Sequence, residues 1–194
     1  MTHHELILDR LERLFTEEGA AEYLGEPVTV SDHMLQCATL AAEQGASDAL
    51  IAAALLHDVG HLTGSLGRYT TADTDDRRHE AAGADLLDGH FQASVVDAVR
   101  FHVAAKRYLC AIDPGYRDAL TPASRHSLIL QGGPMDTGEV RLFEQLDHFR
   151  EVVQVRLWDD AGKDAMADTP DFAHFRPILR RMLLPGGDAM AGSS

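Results

Sequence analysis

Residues 48–57, Asp-Ala-Leu-Ile-Ala-Ala-Ala-Leu-Leu-His, constrain the fold more than any other segment. Ser47 can cap this stretch as a helix, and Leu50, Ile51, Ala52, Ala53, Ala54, Leu55 and Leu56 then cover nearly every face of it. A helix that is apolar all round sits in the middle of a core, so the rest of the chain has to surround it. The rest reads as helix too. Apolar residues recur at helical spacing over 5–15, 79–87, 94–108, 137–161 (the longest run) and 172–184. Ser31 opens a helix that reaches Gly45, and Thr121-Pro122 opens another as cap and first-turn proline. Residues 19–27, Asp113-Pro114-Gly115 and Gly132-Gly133-Pro134 are turns or breaks. Strand signals are nearly absent. The expectation is a compact all-α domain over residues 1–184, with a small, polar, disordered tail over 185–194.

Charge and cysteine content narrow the function classes. Acidic residues number 31 against 17 basic ones, a formal net charge of −14 that repels nucleic-acid backbones and anionic lipid. No apolar run reaches the roughly 20 residues of a membrane span, and the N-terminus has no secretory pattern. Two cysteines, Cys37 and Cys110, make no disulfide framework and suit a reducing cytoplasm. Eleven histidines, by contrast, direct attention to metal chemistry.

The central helix ends in His57-Asp58-Val59-Gly60-His61. Adjacent side chains on a helix diverge by about 100°, so His57 and Asp58 can share a site only if the helix stops there, and Gly60 is read as that stop. A buried His-Asp pair is costly unless a cation compensates it. Further donors come from similar surroundings: His33 early in the second helix, His79 after the polar stretch 64–77, His102 beside Val95, Val96, Val99 and Phe101, and Asp159 or Asp160 late in the long run. Mixed nitrogen and oxygen donors suit iron, manganese or zinc rather than calcium. His3, His4, His90, His126, His148 and His174 are read as ordinary surface or core residues.

In this order, His33, His57-Asp58, His79, His102 and a late aspartate, the chain resembles the two-metal branch of the HD-domain superfamily of helical metalloproteins over about residues 23–160. Several stretches are similar to its phosphonate-cleaving diiron oxygenases: Tyr23 and Glu26, the run Ser31-Asp32-His33-Met34-Leu35-Gln36-Cys37-Ala38, and above all His102-Val103-Ala104-Ala105-Lys106-Arg107-Tyr108-Leu109. The similarity extends to Ser124 after Pro122, and to Arg156 three residues before Asp159.

The resemblance implies a cytoplasmic HD-domain helical bundle with two irons, mixed-valent Fe(II)/Fe(III), bridged by Asp58. His33, His57 and Asp159 hold one iron, and His79 and His102 the other. Asp159 is preferred to Asp160 by its spacing from Arg156. Tyr23 masks an open iron position at rest and moves with Glu26, while His61, Lys106, Ser124 and Arg156 contact the phosphonate. The implied reaction uses O2 to cleave the C–P bond of a 1-hydroxy-2-(amino or trimethylammonio)ethylphosphonate, releasing phosphate and glycine or glycine betaine. Glu26 can face the cationic end of that substrate. The competing readings are a metal-dependent phosphohydrolase of a nucleotide or small phosphate ester, and a non-catalytic HD sensor. The resemblance leaves the oligomeric state open, along with the role of Tyr69.

Overall fold

A computed structural model describes residues 2–19, 26–64 and 75–185. Ten α-helices account for most of them: α1 (His3–Arg13), α2 (Val30–Glu43), α3 (Asp48–Leu56), α4 (His79–Leu87), α5 (Ala93–Ile112), α6 (Pro114–Ala119), α7 (Pro122–Leu130), α8 (Thr137–Phe143), α9 (Phe149–Ala161) and α10 (Phe172–Arg181). The only β pairing among the described residues is one isolated antiparallel bridge, Phe91 to Leu183. None of these helices is long and apolar enough to cross a membrane.

The all-apolar α3 is enclosed by α2, α5, α9 and α10, which is why it has no polar face. Leu55 and Leu56 on α3 pack in one continuous core with Leu8, Leu11, Met34, Leu87, Phe91, Phe175 and Leu179, all fully buried. Burying each such side chain is worth about 1.5–3 kcal/mol, so this contact surface, more than helix propensity, fixes where the ends of α2, α3, α5 and α9 meet. Arg176 ties α10 to Glu5, Asp9 and Glu12 of α1 across the outside of the bundle.

Three sequence expectations change. The cap of α2 is Thr29, not Ser31: Thr29 and Asp32 form a reciprocal capping box, while Ser31 is buried inside the helix and donates to the Phe15 carbonyl. The 137–161 run is two helices rather than one, and α5 is the longest. The break at 144–148 lets Phe143 and Phe149 both pack on Tyr108, with ring centroids 5.1 and 5.3 Å away, and lets His148 reach Asp97 at 2.7 Å. The turn at Asp113-Pro114 starts a short helix, α6, because the Asp113 carboxylate accepts from the Gly115 N–H. Gly132 and Gly133 end α7 as expected. Both adopt positive φ (95° and 74°), and the Gly133 carbonyl accepts from Arg107 Nε at 2.8 Å. Tyr23, Tyr69 and the tail from 186 lie outside the described residues.

Candidate metal centre

Leu56 ends α3, and the chain leaves helical geometry at Asp58 (φ −103°, ψ 12°) before one 3-10 turn, Val59–Leu62. This departure brings two consecutive side chains into one interior space, with His57 Nε2 3.5 Å from Asp58 Oδ2. Gly60 has a different task from the expected helix stop. A Cβ there would lie 1.9 Å from the His79 carbonyl oxygen and 2.8 Å from the Gly83 nitrogen. The absent side chain is what allows the start of α4 to lie against the 3-10 turn, placing His79 beside Asp58. Arg78, just before His79, takes up left-handed backbone (φ 51°, ψ 46°), an arrangement that costs about 1–3 kcal/mol for an L residue. Gly60→Ala is therefore expected to cost about 3 kcal/mol, the upper range for overpacking, and to weaken metal retention at the His79 side. Denaturant midpoints and metal analysis check this, and an unchanged midpoint would refute the close-contact reading.

Two groups of imidazoles meet on opposite oxygens of Asp58. Oδ2 is 3.7 Å from His33 Nε2 and 3.5 Å from His57 Nε2. Oδ1 is 3.2 Å from His79 Nε2 and 3.3 Å from His102 Nε2. Asp159 Oδ1 completes the first group, 3.4 Å from His33 Nε2 and 4.0 Å from His57 Nε2. Within each group the paired Nε2 atoms stand 3.1 Å apart. Donors about 2.1 Å from one ion and at right angles to each other stand about 3 Å apart, so both groups have the spacing of a metal's ligands.

The far sides of the rings are anchored. His33 Nδ1–H donates to the Gly162 carbonyl, His57 Nδ1–H to Ala54 and His102 Nδ1–H to Val99, each at 2.8 Å. A ring whose Nδ1 donates outward keeps its Nε2 lone pair for the interior. His79 Nδ1 lies 3.7 Å from Glu80 Oε2. The carboxylates complete the fit: both oxygens of Asp58, together with Asp159 Oδ1, are buried without a hydrogen-bond partner. Unpaired buried anions of this kind call for cations.

Electrostatics tell the same story. Burial alone pushes the His57 imidazole down, but Asp58 and Asp159 outweigh it and raise the group to about 9. Burial likewise opposes ionisation of Asp58 and Asp159, yet His57 holds the Asp58 carboxyl, and Arg156 the Asp159 carboxyl, well below the ordinary range. His61, stacked on His79 with centroids 4.1 Å apart and 4.0 Å from Asp58 Oδ1, is pushed down to about 3 by burial and by the His79 charge. At that value the imidazole is neutral near pH 7. Cys37 packs 3.9 Å from the His33 ring nitrogens, donates to the Trp158 carbonyl and is held as a thiol by burial.

Beside Asp159 lies a cluster of cations and hydroxyls. Lys106, one turn after His102 on α5, is 3% exposed and donates to Ser127 Oγ at 2.8 Å. Ser127 Oγ in turn donates to the Ser124 carbonyl. Lys163 Nζ is 3.4 Å from Ser124 Oγ, 3.8 Å from Glu26 Oε1 and 3.9 Å from Asp159 Oδ1. Thr121 caps α7 through the Ser124 N–H and donates to Glu26 Oε1 at 2.7 Å. Burial first, then the neighbouring Arg156 and Lys163 charges, lower Lys106 to about 7 against the opposing pull of Asp159 and Asp160. Arg156 is also buried, and its guanidinium bonds Asp159, Asp160 and Tyr116. Asp160 bonds Arg156 and Tyr116 and takes no part in the imidazole groups.

His33, His57, Asp58, His79, His102 and Asp159 thus converge, with His61 against Asp58 and with Glu26, Lys106, Ser124 and Arg156 in the neighbouring cluster. Sequence reasoning passed over Thr121, Ser127, Tyr116 and Lys163. The available signals were weak: Ser127 follows Ser124 by three residues, a spacing that places the two on one helix face, and Lys163 follows Asp159 by four, just past the end of α9.

The HD-domain family model matches residues 30–150, across all the imidazole-bearing helices. The chain belongs to the HD-domain family. This HD chain is 49% identical over 177 residues to a glycine-betaine-forming 1-hydroxy-2-(trimethylamino)ethylphosphonate dioxygenase of Leisingera caerulea, covering 91% of this chain and 90% of that one. It is 36% identical over 178 residues to a hydroxymethylphosphonate dioxygenase of Gimesia maris, covering 90% and 89%. An uncharacterized protein of Acanthamoeba polyphaga mimivirus is 34% identical over 176 residues, covering 86% and 77%. Together with the His/Asp clusters, the dioxygenase relatives imply a metal centre.

Proposed function

We propose that this HD protein is a diiron oxygenase that uses O2 to cleave the C–P bond of 1-hydroxy-2-(trimethylammonio)ethylphosphonate, yielding phosphate and glycine betaine. The observation that carries the reading is Asp58, whose two unpartnered oxygens each face a separate pair of imidazole Nε2 atoms. The choice of oxygenase over phosphohydrolase is supported by the two dioxygenase relatives, and the trimethylated substrate by the greater identity to the glycine-betaine-forming enzyme.

His33, His57 and Asp159 would hold one iron, His79 and His102 the other, with Asp58 between them. Bound there, a mixed-valent pair supplies O2 activation and polarises the substrate hydroxyl. The chain's own residues do the rest. Lys106 and the hydroxyls of Ser124 and Ser127 receive the phosphonate, a point charge and two hydrogen-bonding groups suited to a tetrahedral oxyanion. Glu26, held by Thr121, gives the cationic end of the substrate an acidic partner. Arg156 acts through Asp159, fixing that carboxylate while its own charge is balanced by Asp160. His61 stays neutral, adding a hydrogen-bonding ring without adding charge.

Anaerobic protein reconstituted with Fe(II) and partly oxidised is expected to show a mixed-valent EPR signal that changes on adding substrate. It should then release phosphate and glycine betaine in equal amounts only when O2 is admitted. Turnover of the trimethylated phosphonate should exceed that of the free amine and of hydroxymethylphosphonate. Phosphate-ester hydrolysis without O2, with no substrate-responsive signal, would instead make the protein a phosphohydrolase.

A further inference from the structure

We infer that Glu80 is a positioning residue, its carboxylate taking the outer nitrogen of His79 and strengthening that imidazole as a ligand on the side of the centre with fewer donors. The inference rests on the two-metal reading above and adds a residue to it.

Three of the four imidazoles are held from behind in one way. His33, His57 and His102 each give their Nδ1–H to a backbone carbonyl at 2.8 Å. His79 is different. Among the described residues no carbonyl accepts from its Nδ1, and the group that faces it is Glu80 Oε2, 3.7 Å away. That oxygen is buried and has no hydrogen-bond partner among the described residues. A ring N–H and a buried carboxylate oxygen thus face each other, each lacking the bond it needs. The gap is about an ångström longer than a charge-assisted bond of about 2.7–2.9 Å, and the side-chain torsions of a glutamate can take it up. His79 Nε2, on the opposite side of the ring, lies 3.2 Å from Asp58 Oδ1, so Glu80 stands behind the ligand and not among the ligands.

The two groups of imidazoles are also unequal. Asp159 completes the group of His33 and His57. Among the described residues, the group of His79 and His102 has the shared Asp58 and no carboxylate of its own. With fewer donors, the hold on an ion depends more on the basicity of each. A carbonyl behind an imidazole orients it, whereas a carboxylate orients it and also raises its basicity. Glu80 directly follows His79 in the first turn of α4, which puts the anion behind the ligand that needs it. The competing account is helix stabilisation, because an acid in the first turn favours a helix through its dipole whatever it touches. The two accounts part at Glu80→Asp, which keeps the charge at the start of α4 but withdraws it from Nδ1 by one methylene.

Competition between the protein and a chelator for Fe(II) under anaerobic conditions, run beside denaturant midpoints of the chelated proteins, tests the assignment. Glu80→Met is expected to keep one ion at wild-type affinity and to bind the other about 10-fold to 100-fold more weakly, with the chelated midpoint little changed. Glu80→Asp should share that one-sided loss. Glu80→Gln, whose amide oxygen imitates the carbonyls behind the other rings, should recover part of it. Wild-type affinity for both ions in Glu80→Met would overturn the inference. So would a Glu80→Asp protein that keeps both ions while Glu80→Met loses one together with stability, the result expected of a helix-dipole role. Two ions in the wild type and a one-sided loss in Glu80→Met, but no O2-dependent turnover, would support the role of Glu80 and overturn the oxygenase reading. A wild-type protein that binds fewer than two ions would overturn both.

Discussion

Asp58→Ala is expected to strip the protein of metal at both groups of imidazoles and to lower turnover at least about 1,000-fold, while leaving it folded. One side chain serves both groups of imidazoles, so its removal takes a ligand from each rather than emptying one site. The stability outcome is the less obvious part. In the metal-free wild type, Asp58 is a buried carboxylate with no hydrogen-bond partner on either oxygen, compensated only by protonated imidazole. His57 nevertheless holds the Asp58 carboxyl well below its ordinary range, so the ionised pair stabilises the metal-free fold, and deleting one partner leaves the other uncompensated. The chelated variant should therefore melt lower than the chelated wild type. Metal-loaded wild type should exceed both, by about 4 kcal/mol where free metal is 1,000 times its dissociation constant. Metal analysis, thermal melts with and without chelator, and phosphate release check the three parts. A variant that keeps two metals and a tenth of the activity would refute the bridging role.

How much of this was legible in the chain depended on whether burial or folding geometry carried the signal. The all-apolar α3 and the acid at its end were readable, because no surface helix has that pattern and no core tolerates that pair without compensation. The break between α8 and α9 was not, since Val140, Phe143, Leu146, Phe149 and Val152 keep a three-residue spacing straight through it. Only the presence of Tyr108 across the interface decides that Phe143 and Phe149 turn toward one partner. Gly60 was noticed but given the wrong task, because close approach of a carbonyl from α4 leaves no trace in local sequence. The six convergent donors were legible as an ordered set, whereas Lys163 and Thr121 look like ordinary surface residues until α7 and the end of α9 are brought together. Asp159 and Asp160 were separable only by their contacts: one faces imidazole nitrogens, the other a guanidinium and a phenol.

Lys106→Met is expected to do two opposite things: stabilise the metal-free fold and abolish efficient use of phosphonates. Burial, with help from the Arg156 and Lys163 charges and against Asp159 and Asp160, brings the Lys106 ammonium down to about 7, whereas in the unfolded chain it titrates near the ordinary lysine value of 10.5. Between those values the unfolded state binds the extra proton. Stability therefore rises with pH across the window, and the full cost of burying the charge is felt below about 7. At about 1.4 kcal/mol per pKa unit the limit is on the order of 4–5 kcal/mol. The hydrogen bond lost from Ser127 and imperfect methionine packing bring the expected gain to about 2 kcal/mol near pH 6, fading as pH climbs toward 10. Substrate affinity moves the other way. The dianion needs the protonated lysine, so binding to wild type should weaken as pH rises through about 7, and Lys106→Arg, whose charge persists, should flatten that limb. Truncating one partner of a buried charge pair costs roughly 2–5 kcal/mol, which puts the loss in kcat/KM for Lys106→Met at about 100-fold to 1,000-fold. Denaturant midpoints across pH, read beside pH profiles of KM for the three proteins, separate this account from a purely structural lysine. A structural lysine would give a less stable methionine variant and an arginine variant with an unchanged pH limb.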